Sequence, residues 1–449
     1  MSSPGAFASR WWARGALAAL ALAAVLGHLP SLRHPHFEGD EVVFLFLAER
    51  LARSPLDYHL RGHLEGPPAR RFIEDTWLPL YTRGVGGPER DRITRDLRSR
   101  ERAEVLETPF GEPAYDPRIY ARPIFFHPPL YPYALAIARA LGGTGGAALL
   151  SALMHGATVA LIGLLGMTLG RPAIGLLAAL LTAIEPISWL CGSRLWIDGM
   201  LTALTTTAVL AAVRAVDGES IGGWFGAGLA LGLAGVAKLS ALLVLPAIVA
   251  VPLVRRRCAR PGQVIGYAAG AALCVAPWLG LSRVANGQWL PDSHPTAWQV
   301  AHYPYLAQAL GRPAHFYATG LLLVAPLLVC APLALWRLRR DRWLWIPLAW
   351  ALGFLFPLTL VGVAGQGFQL RYIAAAMPAL CLMAAAGMAA LPRRGWPVAA
   401  ALGAATIATA LSSAAPAEMA EPAPYFTERS LSAVGLDLRR IAPRLWRAP

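Results

Sequence analysis

The chain predicts an all-α polytopic membrane protein. Of its 449 residues 56% are hydrophobic and 15% charged, its mean hydropathy is +0.47, and apolar runs near the ~20 residues needed to span a bilayer recur along its length. A formal charge of +14 would suit a nucleic-acid partner in a soluble protein. Here much of it sits in short loops, at residues 255–257, 337–342 and 393–394, where cytoplasmic bias and anionic headgroups account for it. The expected partner surface is therefore membrane lipid and not nucleic acid. Five cysteines, Cys191, Cys258, Cys274, Cys330 and Cys381, lie in or beside apolar runs with no disulfide or zinc spacing.

The first apolar run, residues 11–29, follows Arg10 and contains Arg14, which places the N-terminus in the cytoplasm. A cleaved signal peptide is the competing reading, and the many later spans favour an uncleaved anchor. A polar loop follows, with an insertion at residues 57–122 rich in mixed charge and punctuated by Pro67, Pro68 and Pro88. Residues 128–142 are short for a span and read as a re-entrant or interfacial helix. Further apolar runs at 147–169, 173–190, 196–215, 224–237, 239–254, 263–281, 317–335, 343–363, 373–391 and 396–414 read as helices. Including the first run this gives eleven crossings; if 128–142 also crosses, another segment does not, the short runs around Lys238 first among them. Residues 1–414 thus form a transmembrane module, with 57–122 inserted in a large extracytoplasmic first loop and 415–449 as a short extracytoplasmic tail.

Five sets of polar residues carry candidate chemistry. Asp40 and Glu41 sit at a predicted helix start just beyond the first span, where a carboxylate can cap the helix or serve as a general base. Lys238 is the only lysine among 40 Lys and Arg residues, and it splits an apolar stretch. A cation there either snorkels to the interface or meets an anion such as a lipid-linked phosphate. Arg371 and Tyr372 begin another span, as an interfacial anchor or a phosphate grip. Glu185, Arg194 and Asp198 flank a break between spans, and the spacing of Arg194 and Asp198 suits an i,i+4 helix pair. His127, ahead of Pro128 and Pro129, either opens an interfacial helix or joins the site, with Tyr131 next to it as a further substrate-site candidate.

The ordered set Gly39-Asp40-Glu41, Phe126-His127-Pro128-Pro129-Leu130, Ser193-Arg194 through Asp198, Gly232 through Lys238, and Arg371-Tyr372 resembles the GT-C glycosyltransferases of the protein O-mannosyltransferase and lipid A aminoarabinose transferase superfamily. The resemblance covers most of residues 11–391. It implies a GT-C fold of about 11–12 transmembrane helices, a polyprenyl-phosphate-linked sugar donor, a lipid, glycan or protein acceptor, and inversion at the anomeric carbon. By the same resemblance Asp40 would be the base, with Glu41 beside it, and Lys238, Arg371 and Arg194 would contact donor phosphate. It also implies a bacterial plasma membrane location with the site facing the periplasm or cell exterior.

No cofactor is required for such a transfer. Glu41, Asp198 and His127 would be the side chains to converge on a divalent metal, although no spacing demands one. A lipid or solute transporter and a non-catalytic polyprenyl-lipid-binding subunit are the alternatives. Transporters place ionisable groups near the midplane, whereas these charges map to one face.

Overall fold

The computed structural model describes residues 4–33, 40–55, 58, 70, 74, 87–99, 128–287, 289, 314–363 and 370–413. The described residues are helical, with no strand among them. We number helices of eight residues or more: α1 Pro4–Leu26, α2 Asp40–Arg53, α3 Gly87–Ser99, α4 Leu130–Thr168, α5 Pro172–Ile184, α6 Pro186–Ser193, α7 Ile197–Gly218, α8 Ile221–Ala237, α9 Leu245–Val254, α10 Pro261–Asn286, α11 Phe316–Val324, α12 Cys330–Arg337, α13 Trp345–Val363, α14 Met377–Ala389 and α15 Trp396–Ser413.

Five of the apolar stretches, Leu130–Thr168, Ile197–Gly218, Pro261–Val284, Arg342–Val363 and Leu370–Ala389, are long and apolar enough to cross a bilayer alone. Two bent pairs, Pro172–Ile184 with Pro186–Ser193 and Phe316–Val324 with Pro326–Arg337, raise the number to seven. The shorter apolar helices Trp11–Leu26, Ile221–Ala237 and Leu239–Val254, together with α15, coincide with the remaining predicted spans. The protein is a multi-pass membrane protein.

The structure departs from unbroken spans where backbone chemistry requires it. The run 173–190, expected as one helix, bends by 58° at Glu185, and the run 317–335 by 117° at Ala325. Each break is followed by proline, Pro186 or Pro326, which has no N–H to continue the ladder. Residues 128–142 lead directly into the next span, but α4 is kinked where Gly142 and Gly143 leave helical geometry. Gly143 takes φ 61°, a conformation that glycine adopts without steric penalty. The twelve residues before the kink reach only about 18 Å at 1.5 Å per residue, short of the ~30 Å hydrocarbon core. They form an arm packed on α2, tied by an Arg139–Glu49 ion pair at 2.5 Å and by the Tyr133 hydroxyl donating to the Pro55 carbonyl.

The main core is built by α1, α4 to α9 and α11 to α15. Where α8 crosses α10, small residues let the backbones touch: a Cβ on Gly232 would lie 2.6 Å from the Ala271 carbonyl oxygen, and one on Gly228 or Gly270 would strike backbone too. Close approach of this kind is how helices associate in lipid, where apolar burial between them gives little drive. A second, smaller core holds Phe44, Leu47, Tyr58, Tyr131, Leu195 and Ala237. It gathers α2, α4 with its arm, Leu195 in the connection before α7, the start of α7 and the end of α8. Burial, reinforced by Tyr133, pushes the Tyr58 phenol above the usual tyrosine range and keeps it neutral.

Candidate active site

The small core is roofed by charge. Helix α6 ends at Arg194, whose backbone is extended (φ −118°, ψ 152°), and α7 does not begin until Ile197. The expected i,i+4 pair between Arg194 and Asp198 therefore does not form, because the two residues belong to different helices and the chain between them is not helical. Arg194 instead pairs with Glu41 from α2, Nη1 to Oε2 at 3.1 Å. The other Glu41 oxygen accepts the Leu195 N–H at 2.7 Å. Both side chains are buried, so the acid stabilises the non-helical connection that a buried N–H would otherwise leave unpaired.

Asp198 sits in the first turn of α7, where the helix dipole favours a carboxylate. Its Oδ1 accepts from Lys238 Nζ at 2.7 Å, and its Oδ2 lies 4.0 Å from Arg371 Nε. Asp198 is 1% exposed, Arg371 8% and Lys238 20%, so the lysine is the member of the group most open to a ligand. Oδ2 is buried with no hydrogen-bond partner among the described residues. Lys238 follows α8 and precedes a 3-10 turn, Leu239–Val244, in extended geometry (φ −153°). Arg371 lies in another 3-10 segment, Leu370–Ala376, which enters α14. Breaks in two spans thus bring two cations to one acid.

Aromatic faces line the cations. The Arg371 guanidinium carbon stands 4.5 Å from the Trp196 ring centroid and 5.6 Å from that of Tyr372, and Lys238 Nζ stands 5.0 Å from the Tyr372 ring. Trp196 was not among the residues singled out from the sequence. Its position between Arg194 and Asp198 was the available signal. Tyr131 packs edge-on against Phe44, centroids 5.0 Å apart, under the same roof.

Of the sequence candidates, Glu41, Arg194, Asp198, Lys238, Arg371, Tyr372 and Tyr131 come together at this end of the bundle. Glu185 has a different task here: it caps α6, accepting from the Ile187 N–H at 2.8 Å and the Ser188 N–H at 2.6 Å. Asp40 begins α2, but its side chain lies outside the described residues, as do His127 and most of the 57–122 insertion and the 415–449 tail. Among the described residues no group of three or more His, Cys, Asp or Glu side chains is arranged to hold a metal. Glu41 and Asp198 are each committed to separate cations.

Two histidines that the sequence reading passed over brace the site from below. His155 Nε2 lies 3.0 Å from the Thr182 carbonyl oxygen, and its Nδ1 lies 2.8 Å from His28 Nε2. His28 Nδ1 lies 3.0 Å from Ser193 Oγ, one residue before Arg194. A carbonyl only accepts, so His155 donates from Nε2; with His155 neutral, His28 donates to its Nδ1. Thr182 is four residues before Pro186, whose missing N–H leaves that carbonyl without its helical partner. The signal was present as two histidines within otherwise apolar runs.

Residues 126–280 match the model of the dolichyl-phosphate-mannose-protein mannosyltransferase family. The matched segment holds Tyr131, Arg194, Asp198 and Lys238 and leaves Glu41 and Arg371 outside it. A comparison with curated proteins finds no match. Among solved structures, ArnT from Cupriavidus metallidurans bound to undecaprenyl phosphate aligns with a TM-score of 0.50 at 16% identity, over 91% of this chain and 72% of that one. Its apo form aligns with a TM-score of 0.48 at 17% identity over the same shares. The undecaprenyl phosphate complex shows the fold: this chain is built on the GT-C fold of that structure.

Proposed function

We propose that this GT-C membrane protein is an inverting glycosyltransferase that moves a sugar from a polyprenyl-phosphate donor to a lipid, glycan or protein acceptor at the outer face of a bacterial plasma membrane. One observation carries this reading: Asp198 holds Lys238 and Arg371 side by side at one end of the bundle. Two cations held together in a poorly hydrated site suit the oxygens of a departing phosphate, where low dielectric strengthens each contact. The aromatic faces of Trp196 and Tyr372 keep the cations in place and offer surface for a sugar ring. The undecaprenyl phosphate named with the ArnT structure is the class of molecule these cations would meet.

In the proposed reaction Asp40 takes the proton of the acceptor as its nucleophilic atom bonds to the anomeric carbon. The bond from that carbon to the phosphate oxygen breaks, and the phosphate leaves with the electron pair toward Lys238 and Arg371. Attack from the face opposite the leaving group inverts the centre without a covalent enzyme intermediate. Glu41, engaged by Arg194 and the Leu195 N–H, positions the connection that leads into α7 and Asp198. A general base of this kind contributes roughly 10²–10⁴-fold.

The test is transfer of labelled sugar from a panel of polyprenyl-phosphate sugars to membrane lipid and protein fractions by wild type and Asp40→Asn in parallel. Label that moves with wild type alone supports the reading. Full transfer by a folded Asp40→Asn would overturn the base assignment. Solute uptake without any donor would favour a transporter, and donor binding without transfer by wild type would favour a lipid-binding subunit.

A further inference from the structure

The opposite end of the bundle carries a second polar site with different chemistry. Helix α7 has Asp198 in its first turn and Glu219 at its C-cap; over its 22 residues a rise of 1.5 Å each separates its ends by about 33 Å, close to the thickness of the hydrocarbon core. At the Glu219 end lies a cavity of about 210 Å³, lined in part by Glu219, Trp224, Arg257, Arg260 and Gln263.

Its walls are rich in donors. Arg257 and Arg260 both pair with Glu219, Arg260 at 3.0 Å, while Arg255 pairs with Asp217 at 3.1 Å. Arg256, in the same turn, makes no ion pair among the described residues. Two arginines and one carboxylate thus line the cavity, with Arg255, Arg256 and Asp217 beside it. Glu219 and Arg256 both hold positive φ, 49° and 52°, a conformation uncommon for residues with a Cβ. Trp224 is 5% exposed, and its indole N–H has no acceptor among the described residues. Gln263, 5% exposed, uses its carbonyl on the Arg260 N–H, which leaves its amide hydrogens for a ligand. The start of α10, immediately after Arg260, adds the positive end of a helix dipole.

We propose that this cavity binds a phosphate group, the chemistry shared by an anionic lipid headgroup and free phosphate. Arg257 and Arg260 supply paired donors that can be shared between Glu219 and phosphate oxygens. Trp224 and Gln263 supply neutral donors deeper in the cavity. The site lies across the membrane from the Asp198 cluster, so it stands independently of the transfer reaction.

Native mass spectrometry of the purified full chain in mixed micelles tests this, with phosphatidylglycerol, phosphatidylcholine or inorganic phosphate as the probe. Wild type should retain phosphatidylglycerol roughly thirtyfold better than phosphatidylcholine, and Arg257→Gln/Arg260→Gln should lose about that factor, as expected for two basic side chains at a lipid surface. Trp224→Phe, which keeps the ring's bulk and removes the N–H, should also weaken retention while leaving the melting temperature near wild type. Displacement of phosphatidylglycerol by millimolar inorganic phosphate would support the site with phosphate alone as sufficient ligand. Retention of phosphatidylglycerol without such displacement would support it with the lipid headgroup as the ligand. Equal retention of the two lipids with no phosphate binding would overturn the proposal, as would phosphatidylglycerol retention unchanged in both variants. If the double variant does not fold, Trp224→Phe, which leaves the ion pairs of the cavity intact, decides by the same criterion.

Discussion

Asp198 and Lys238, 40 residues apart in the chain, meet at 2.7 Å where α7 begins and α8 ends. The acid is enclosed and the base partly open, so the pair is a buried counter-ion with a cation presented to one side. Removing one partner leaves the other charge in a poorly solvated site. Lys238→Met should therefore lower stability by roughly 3–5 kcal/mol, the range for breaking a buried pair. Proposed transfer should fall by ~10²–10³-fold, as for loss of a single leaving-group donor. Lys238→Arg should recover more stability than activity. Thermal melting and transfer measured on the same preparations check both; full activity in Lys238→Met would remove the lysine from the reaction.

The Glu41–Arg194 pair separates architecture from chemistry. Either Glu41→Leu or Arg194→Met alone should destabilise by ~3–5 kcal/mol, because each removes the opposite charge from a buried ion pair. The double variant should be less destabilised than the two losses summed, since it removes both charges. A double-mutant cycle in melting temperature is the measurement. Additive losses would mean that the pair contributes nothing as a pair.

Gly270 faces the α8 backbone so closely that any side chain must push the helices apart. Gly270→Ile should cost ~1–3 kcal/mol, the usual range for overpacking, and should also weaken the proposed hold on donor phosphate, because Lys238 follows the far end of α8. Reduced polyprenyl-phosphate binding in a folded Gly270→Ile protein is the expected result. Unchanged melting and binding would show that the seam tolerates separation.

His155→Leu keeps the volume of the side chain and removes its hydrogen bonds. The Thr182 carbonyl and His28 then lose partners in a buried setting, which should cost ~1–3 kcal/mol. His155→Gln, able to donate to the same carbonyl, should recover part of that loss in thermal melting. Equal melting of all three proteins would show that the carbonyl is satisfied by other means.

The spans were legible because the bilayer imposes a length and a composition that twenty residues can display. Lys238 and Arg371 were legible for a related reason: a charge in an apolar run is costly enough to stand out. Their shared acid was not legible, because Asp198 meets Lys238 through the packing of separate helices and not through any spacing in the chain. Arg194 shows the limit most clearly. Its local spacing to Asp198 suggested a helical pair, but the helix ends at Arg194 itself, and its partner Glu41 lies 153 residues away. Proline signals at 186 and 326 were visible in the sequence, yet the angles they produce depend on what satisfies the freed carbonyls.

The bend between α5 and α6 is secured from both sides. Glu185 takes up the exposed N–H groups at the start of one arm, and His155 takes up the stranded carbonyl near the end of the other. A break left unsatisfied would flex to find partners; this one already has them, so it works as a welded elbow and not as a hinge. Ser193 and Arg194 are therefore delivered at a set angle, and whatever motion admits a substrate must arise in other parts of the bundle.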